Sequence, residues 1–130
     1  MIETAKEALY YALTNDTALK NLLGTTDNRI FGEYSRGLEV IPSITFFVFS
    51  SQRENGMSDR FIVEFQLDVW GNIHSVVADQ IVSRIYGLLH NTTIKVNGTL
   101  KSFLCTVGQA REMIEDNVRH YSMDITIHTR

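Results

Sequence analysis

The 130-residue sequence contains one cysteine, one proline and one tryptophan, and no excess of basic residues. Because Cys105 has no second cysteine to pair with, an intramolecular disulfide is excluded, which fits a reducing compartment. The formal net charge of −3 disfavours nucleic acid as the main partner. No apolar run approaches the roughly 18–20 residues that would span a membrane. The remaining composition is that of a globular protein, and we expect a single domain over residues 1–130.

Motifs that carry common cofactor and metal chemistry are also missing. The sequence contains neither GxGxxG nor GxxxxGK[ST], the two glycine-rich phosphate-binding patterns. It contains no HExxH and no CxxC pair, so no local zinc-binding pattern is present. We therefore expect no cofactor, no bound metal and no enzymatic activity.

The last predicted strand gathers the best candidate catalytic and metal-binding side chains. His120, Asp124 and His128 share one face of it, but successive members lie four residues, or about 13 Å, apart along a strand, so the three cannot share one zinc ion. His120, Ser122 and Asp124 offer the residue types of a catalytic triad. In an extended strand the serine would lie between the other two, whereas a triad needs the histidine in the middle. A polar sheet face is the better interpretation.

Apolar spacing predicts two helices at the start of the chain. Residues 2–14 place apolar side chains on one helical stripe, and residues 15–17 offer capping side chains. A short helix follows and ends at Gly24, a residue suited to a left-handed cap. Residues 24–41 are expected to form an ordered loop with one short strand at 29–31.

Two strands joined by a polar connection are predicted next. In residues 43–50 apolar side chains occur at both odd and even positions, which predicts a strand that is covered on both faces. Residues 51–60 are polar and read as a long hairpin connection. Residues 61–70 then alternate, with apolar side chains at the odd positions and Glu64, Gln66 and Asp68 at the even ones.

Trp70 falls on the same side as those polar residues, together with Ile62. The sequence leaves open whether Trp70 is covered by its own helices or by a neighbouring subunit. Asp68 could pair with a cation from a neighbouring strand or from another subunit. Gly71 is predicted to break the strand, and Asn72 is predicted to cap a helix over 73–89.

The remaining pattern completes an α+β fold. Asn97-Gly98 is a strong hairpin signal within a turn region, and strands are predicted over about 101–114 and over 118–129, with a turn at 115–117. Two hairpins separated by a long helix predict an antiparallel sheet of about four strands. The long helix lies between the hairpins, and the N-terminal helices pack on one face of the sheet.

Three segments resemble the tail terminator family, also called tail completion or neck proteins, of long-tailed bacteriophages and prophages. EALYYALTNDTALKNLLG (7–24) is similar to the family's opening pair of helices. VIPSITFFVFS (40–50) is similar to its first strand, and LDVWGN (67–72) is similar to the end of its next strand. The resemblance covers residues 1 to about 90 well, and the last two strands match in layout.

The resemblance implies a structural protein of the siphovirus type without a cofactor. Its subunits would form a ring, expected to be a hexamer, that caps the tail tube and stops tube polymerisation. The ring would also provide the docking surface for a head-completion or connector protein at the head–tail junction of the virion. Assembly would take place in the cytoplasm of the host bacterium, and DNA would pass through the ring without being recognised directly.

The sequence suggests which residues would contact the ring neighbours or the tube. They lie on the hairpin connection and on the even-numbered face of the following strand. The candidate interface residues are Arg53, Glu54, Asp59, Arg60, Ile62, Asp68 and Trp70. A solvated loop is the competing interpretation of the first four.

Two other functions fit the same sequence. The protein could be another head–tail joining protein on the portal side of the neck. It could also be an enzyme or ligand-binding α+β domain, because a fold does not fix a function.

Overall fold

A computed structural model describes residues 2–24, 29–32, 41–54, 59–115 and 117–130, with the backbone alone at 31 and 115. The described chain contains three helices and seven strands, in the order α1, α2, β1, β2, β3, α3, β4, β5, β6, β7. The helices are α1 (Ile2–Thr14), α2 (Thr17–Leu23) and α3 (Val77–Leu89). The strands are β1 (Ile30–Phe31), β2 (Ser43–Arg53), β3 (Phe61–Asn72), β4 (Thr92–Val96), β5 (Thr99–Val107), β6 (Arg111–Glu115) and β7 (Val118–Thr129).

The strands form one sheet with β3 and β7 at its centre. The order is β1-β2-β3-β7-β5-β4, and β6 pairs with the first half of β7. Neighbouring strands are antiparallel except for the two-residue β1, which runs parallel to β2. β3 pairs with β7 over its whole length, from Phe61 opposite Thr129 to Asn72 opposite Val118. The α+β prediction is therefore confirmed, with more strands than the four expected.

The hydrophobic core lies between the sheet and the three helices. Val63, Phe65, Leu67 and Val69 of β3 are fully buried, as the odd-numbered alternation predicts. Their partners on β7, including Ile125 opposite Phe65, continue the same surface. α1, α2 and α3 close this face with the following buried side chains: Ala5, Ala8, Leu9, Leu13, Leu19, Leu23, Ala78, Ile81, Ile85 and Leu89.

The N-terminal helices begin and end close to their predicted bounds. α1 covers residues 2–14 as expected. Asp16 caps α2 by accepting a hydrogen bond from the Leu19 N–H at 3.0 Å. Gly24 ends α2 with φ of 73°, the left-handed conformation that favours glycine. The short strand predicted at 29–31 is found at 30–31.

Two predictions around Gly71 and Asn72 are wrong. Gly71 does not break β3, because it pairs with Arg119 of β7 and the strand continues to Asn72. A Cβ atom at Gly71 would lie 2.7 Å from Cβ of Ala78, so the glycine allows α3 to approach the sheet closely. Asn72 does not cap α3, which begins only at Val77. Its side chain instead accepts from the His74 N–H at 2.8 Å and shapes the connecting turn.

The hairpin predicted at Asn97-Gly98 is confirmed, and it contains a strand, β4, where the sequence predicts a turn region. The predicted strand over 101–114 is two strands, β5 and β6, that follow one another along β7. Val107 pairs with Ile125, whereas Arg111 pairs with Ser122, so the register changes by one residue between them. Gly108 bridges this irregularity by donating its N–H to the Asp124 carbonyl at 2.8 Å.

The strand predicted over 43–50 continues to Arg53, because residues 51–53 pair with β3. Its first four residues are buried, as predicted for a strand covered on both faces, but Phe49 is exposed. Most of the loop predicted at 24–41, the centre of the 51–60 connection and Asp116 of the 115–117 turn lie outside the described residues. Within the described ranges, no helix is long and apolar enough to cross a membrane.

Candidate functional site

A group of buried polar side chains lies on the sheet face opposite the helices. Ser43, Thr45, Asp68, Trp70, His120 and Ser122 are each no more than 3% exposed. They belong to β2, β3 and β7, which place them side by side through the pairs Ser43–Trp70, Thr45–Asp68, Asp68–Ser122 and Trp70–His120. The even-numbered face that the sequence marks as polar is therefore enclosed within one chain at this end of the sheet.

Trp70 and Asp68 are fixed by specific contacts in this group. The Trp70 indole stacks on the His120 ring, with centroids 3.9 Å apart, and donates Nε1–H to Thr45 Oγ1 at 2.9 Å. Nε2 of His120 lies 2.5 Å from Oδ1 of Asp68. The Gln66 amide donates to the same carboxylate. Polar side chains that hydrogen-bond to one another away from solvent stabilise and specify a core, and this geometry gives the group that role.

The partner that the sequence leaves open for Asp68 lies within the chain, because Nε2 of His120 on the neighbouring strand contacts its carboxylate. Trp70 is 1% exposed in a single chain and lies on the face opposite the three described helices, so its burial depends neither on those helices nor on a second subunit. A role of either residue in a subunit interface remains a prediction, and it would require the covering groups to move.

The side chains considered for a triad or a metal separate in the structure. Asp124 is exposed and lies 3.9 Å from Arg111, while His120 bonds to Asp68. His128 lies 3.8 Å from Glu54. In the described part of the chain, no three histidine, cysteine or acidic side chains are grouped to hold a metal ion.

Cys105 is enclosed in the core, as the sequence predicts. It is fully buried on β5, opposite Ile127. Burial raises the pKa of its thiol to about 12, so the reactive thiolate is scarce at neutral pH. The side chain acts as a small core residue.

The charged candidate residues sit at the far end of the β2–β3 hairpin. Arg53 and Asp59 are exposed, whereas Glu54 and Arg60 are half-buried. The Glu54 N–H donates to the Arg60 carbonyl at 2.9 Å, which continues the hairpin beyond its last strand pair. The Arg60 guanidinium lies 4.9 Å from the centre of the Phe103 ring, a cation–π contact. Half-buried Ile62 belongs to this end of the sheet, opposite His128.

A second polar cluster, which sequence reasoning missed, ties α3 to the sheet. The Tyr121 hydroxyl lies within hydrogen-bond reach of the Asp79 and Glu112 carboxylates. Burial is the main cause that raises the pKa of Tyr121, and the two carboxylates raise it further. The phenol therefore remains protonated and acts as a donor. Arg119 adds an ion pair to Asp79 at 3.5 Å and donates to the Ile73 carbonyl at 3.3 Å. The cluster fixes the start of α3.

β6 carries two exposed apolar side chains that were also missed. Met113 is 38% exposed and Ile114 is 56% exposed. The sequence signal is an apolar pair flanked by charged residues at 111, 112 and 115. It was not recognised because residues 101–114 were treated as one strand rather than as two.

Comparison with protein families decides what kind of protein carries this geometry. The family model described as Tail completion protein gp17 matches residues 7–130. The chain belongs to the tail completion protein gp17 family. The suspected relationship to phage tail completion proteins is thereby confirmed, and membership gives the chain a structural role in a bacteriophage tail and in virion assembly.

Solved structures show the same fold at low sequence identity. A chain from the virion of a native gene transfer agent (GTA) particle aligns with a TM-score of 0.66 and 13% identity, covering 95% of this chain and 92% of that one. A second solved chain aligns with a TM-score of 0.59 and 13% identity, covering 100% of this chain and 96% of that one. Among curated proteins, no relative matches this tail completion family member.

Proposed function

We propose that this protein is a tail terminator, whose subunits form a ring on the finished end of the tail tube. The ring covers the surface to which the next tube ring would bind, so polymerisation stops. Its opposite side receives a head-completion or connector protein. The mechanism is competition for a polymer end and involves no bond chemistry. Membership of the tail completion protein gp17 family over residues 7–130 is the observation that carries the proposal.

The disposition of polar groups supports a docking role. Asp68 and His120 form the closest acid–histidine contact among the described side chains, and both are closed to solvent. Arg53 and Asp59 on the hairpin end are exposed, so their charges can touch a partner. A surface of this kind recognises another protein by charge and shape.

The β2–β3 hairpin is suited to reach the tube or to line the ring. Its strands are 11 and 12 residues long, and the Glu54–Arg60 hydrogen bond extends the pairing. We assign the tube-facing contact to the exposed charge of Arg53 on this hairpin. A closed ring also fits a subunit with heterologous contacts, in which two different surfaces of neighbouring copies meet.

The purified protein should form rings of about six subunits, either alone or when tail tubes are added. Light scattering gives the mass, and negative-stain electron microscopy shows the ring and its position on the tube. Failure to form rings at every concentration, both with and without tubes, would refute the proposal. If the rings bind the portal side and do not bind the tube, the protein is instead another neck protein.

Reversing the charge at Arg53 should weaken binding to the tube and leave folding intact, because the Arg53 side chain is exposed. The matched control is Lys95→Glu, which reverses an exposed charge on β4. Co-sedimentation with tail tubes measures binding of Arg53→Glu and of the control. If both variants bind tail tubes as well as the parent protein does, the hairpin end does not contact the tube.

A further inference from the structure

The sheet has two different edges that are open along part of their length. β1 covers only Ile44 and Thr45 of β2, so among the described residues β2 from Val48 to Arg53 pairs with β3 alone. At the other side of the sheet, β6 pairs with β7 and has no further strand partner in the described ranges. Unpaired strand edges present backbone donors and acceptors to another chain.

The β2 edge borders an apolar cavity. The cavity has a volume of about 480 Å³, and α1 and β2 form its walls. Apolar groups contributed by Tyr10, Phe46 and Val48 line it, and the charged residues Lys6 and Glu7 also belong to its lining. Tyr10 is 40% exposed, so the cavity opens to solvent beside the strand edge.

The β6 edge presents side chains that complement this cavity. Ile114 pairs with Arg119, which shares the helix-facing side of β7 with Tyr121 and Met123. Ile114 is therefore directed to the same side of the sheet as α1 and the cavity. Glu112 lies two residues away on that side and is exposed, and its charge is opposite to that of Lys6 and the same as that of Glu7.

Strand directions also agree with a join between these two edges. β2, β3, β7 and β6 alternate in direction across the sheet. When copies are related by rotation about an axis along the strands, β6 of one copy therefore meets β2 of the next in antiparallel orientation. Such a contact uses two different surfaces and closes into a ring, in contrast to a two-fold dimer.

The join requires a stagger that the sheet can accommodate. Across the sheet, Ile114 lies opposite Arg119, which lies opposite Gly71, whereas Val48 lies opposite Phe65. Ile114 and Val48 are therefore at different heights along the strands. Bringing Ile114 beside Val48 of the next copy shifts the neighbour by about six residues, roughly 20 Å along the strands. A stagger of this kind tilts strands against the axis, as in closed barrels. The neighbouring β2 then lies beside β6, on the side where β6 has no strand partner in the described ranges.

We infer that β6 of one copy adds to the open edge of β2 in the next copy, with Ile114 entering the α1–β2 cavity. This inference rests on the proposed ring and names the contact that closes it. Backbone pairing would supply the affinity, and the cavity would select the register. The partner is a second copy of this chain.

Engineered disulfide cross-linking tests the contact directly. Val48→Cys and Ile114→Cys together cannot join within one chain, because three strand spacings of about 4.8 Å separate β2 from β6 and a disulfide needs Cα atoms within about 7 Å. Cys105 stays out of the reaction because it is fully buried. Oxidised rings of the double variant should give a ladder of covalent oligomers that ends at the closed ring, and each single variant should remain monomeric on a non-reducing gel.

Each other outcome has a distinct meaning. Dimers of Ile114→Cys alone would show two-fold pairing of β6 with β6 and would overturn the inference. Rings without cross-links in the double variant would overturn it while leaving the terminator proposal standing. Absence of rings in the unmodified protein, including on tail tubes, would remove the proposal and the inference together.

A charge substitution supplies a second measurement that does not depend on cysteine. Ile114→Asp should raise the concentration for half-maximal ring assembly by roughly tenfold or more, as expected for a contact in the centre of an interface. The matched control is Leu100→Asp, because Leu100 is 50% exposed on β5 away from both edges. Equal assembly of both variants would contradict the assignment of Ile114, and circular dichroism confirms that each variant is folded.

Discussion

Trp70 is held by two contacts of different kinds. Its ring stacks on His120 of β7, and its Nε1–H donates to Thr45 of β2. The side chain thereby joins the three longest strands of the sheet on the face that the helices do not cover. Aromatic stacking contributes packing, and the hydrogen bond satisfies the polar atom that burial would otherwise leave unpaired.

Trp70→Ala should lower the free energy of unfolding by about 3–5 kcal/mol, the usual cost of truncating a buried aromatic side chain. Trp70→Phe is the control, because it retains much of the ring contact and loses only the Thr45 hydrogen bond. Its cost should be smaller, and urea denaturation measures both. Unchanged stability of Trp70→Ala combined with failed ring assembly would instead make Trp70 an interface residue.

At the scale of the residue, the sequence predicts which face of a strand a side chain occupies. It does not predict which side chains it contacts. It places Trp70 and Asp68 on the polar side of β3, and the structure agrees. His120, which contacts both, lies about 50 positions further along the chain. Only the pairing of β3 with β7 brings them together, and no local pattern encodes that register. The sequence therefore left two covers open for Trp70, its own helices or a neighbouring subunit. It also left two sources of a partner open for Asp68, a neighbouring strand or another subunit, and the structure shows a closed polar group.

At the scale of the element, Gly71 sets the distance between β3 and α3. Gly71→Ala should destabilise the protein by about 1–3 kcal/mol, because the new Cβ would lie 2.7 Å from Cβ of Ala78. Adding Ala78→Gly should recover part of the loss. Gly87→Ala is the control, since its Cβ meets nothing within 4 Å and should slightly stabilise α3. Thermal unfolding measures the three variants and the parent protein, and a different order of stability would contradict this packing.

The Asp16–Arg84 ion pair connects the start of α2 to α3. Two hydrogen bonds, of 2.8 Å and 2.5 Å, join the guanidinium to the carboxylate. The hydrogen bond from Arg84 is the main reason why the pKa of Asp16 lies below its ordinary value of 3.8. Because the folded pKa is the lower one, the contribution of the pair is fully present above pH 3.8 and is lost as the pH falls through the folded pKa.

Arg84→Met should therefore be less stable than the parent protein at neutral pH, and the difference should shrink as the pH falls below about 4. Denaturant midpoints measured from pH 7 to pH 2.5 follow this change. Asp124→Asn is a suitable comparison, because its partner Arg111 is 3.9 Å away and both side chains are exposed. A difference between Arg84→Met and the parent that is independent of pH would show that the ion pair is not its cause.

Elements with strong periodicity were predictable, and their junctions were not. The alternation of 61–70 and the helical spacing of 2–14 and 73–89 are dictated by burial of one face. The end of β3 and the beginning of α3 depend on how closely Gly71 and Ala78 approach, which is a tertiary contact. The division of 101–114 into β5 and β6 depends on a register change against β7.

At the scale of the whole molecule, the proposed ring contacts lie at the sheet edges, and the proposed tube contact lies at the hairpin end. The α1–β2 cavity and the exposed Ile114 lie at different edges of the same sheet, as a head-to-tail ring requires. The charged end of the β2–β3 hairpin, including Arg53, remains available for the tube. The sequence predicted the hairpin charges but not the edges, because an edge exists only once the strand order is known.

The central claim is that the ring ends tube polymerisation, and tail length measures it most directly. The gene is deleted in the phage or prophage that carries it, and tails are measured by electron microscopy with and without the protein supplied in trans. The account predicts overlong tails without attached heads, and normal length on complementation. Tails of normal length in the deletion, accompanied by empty or leaking heads, would contradict it and point to a joining protein on the portal side.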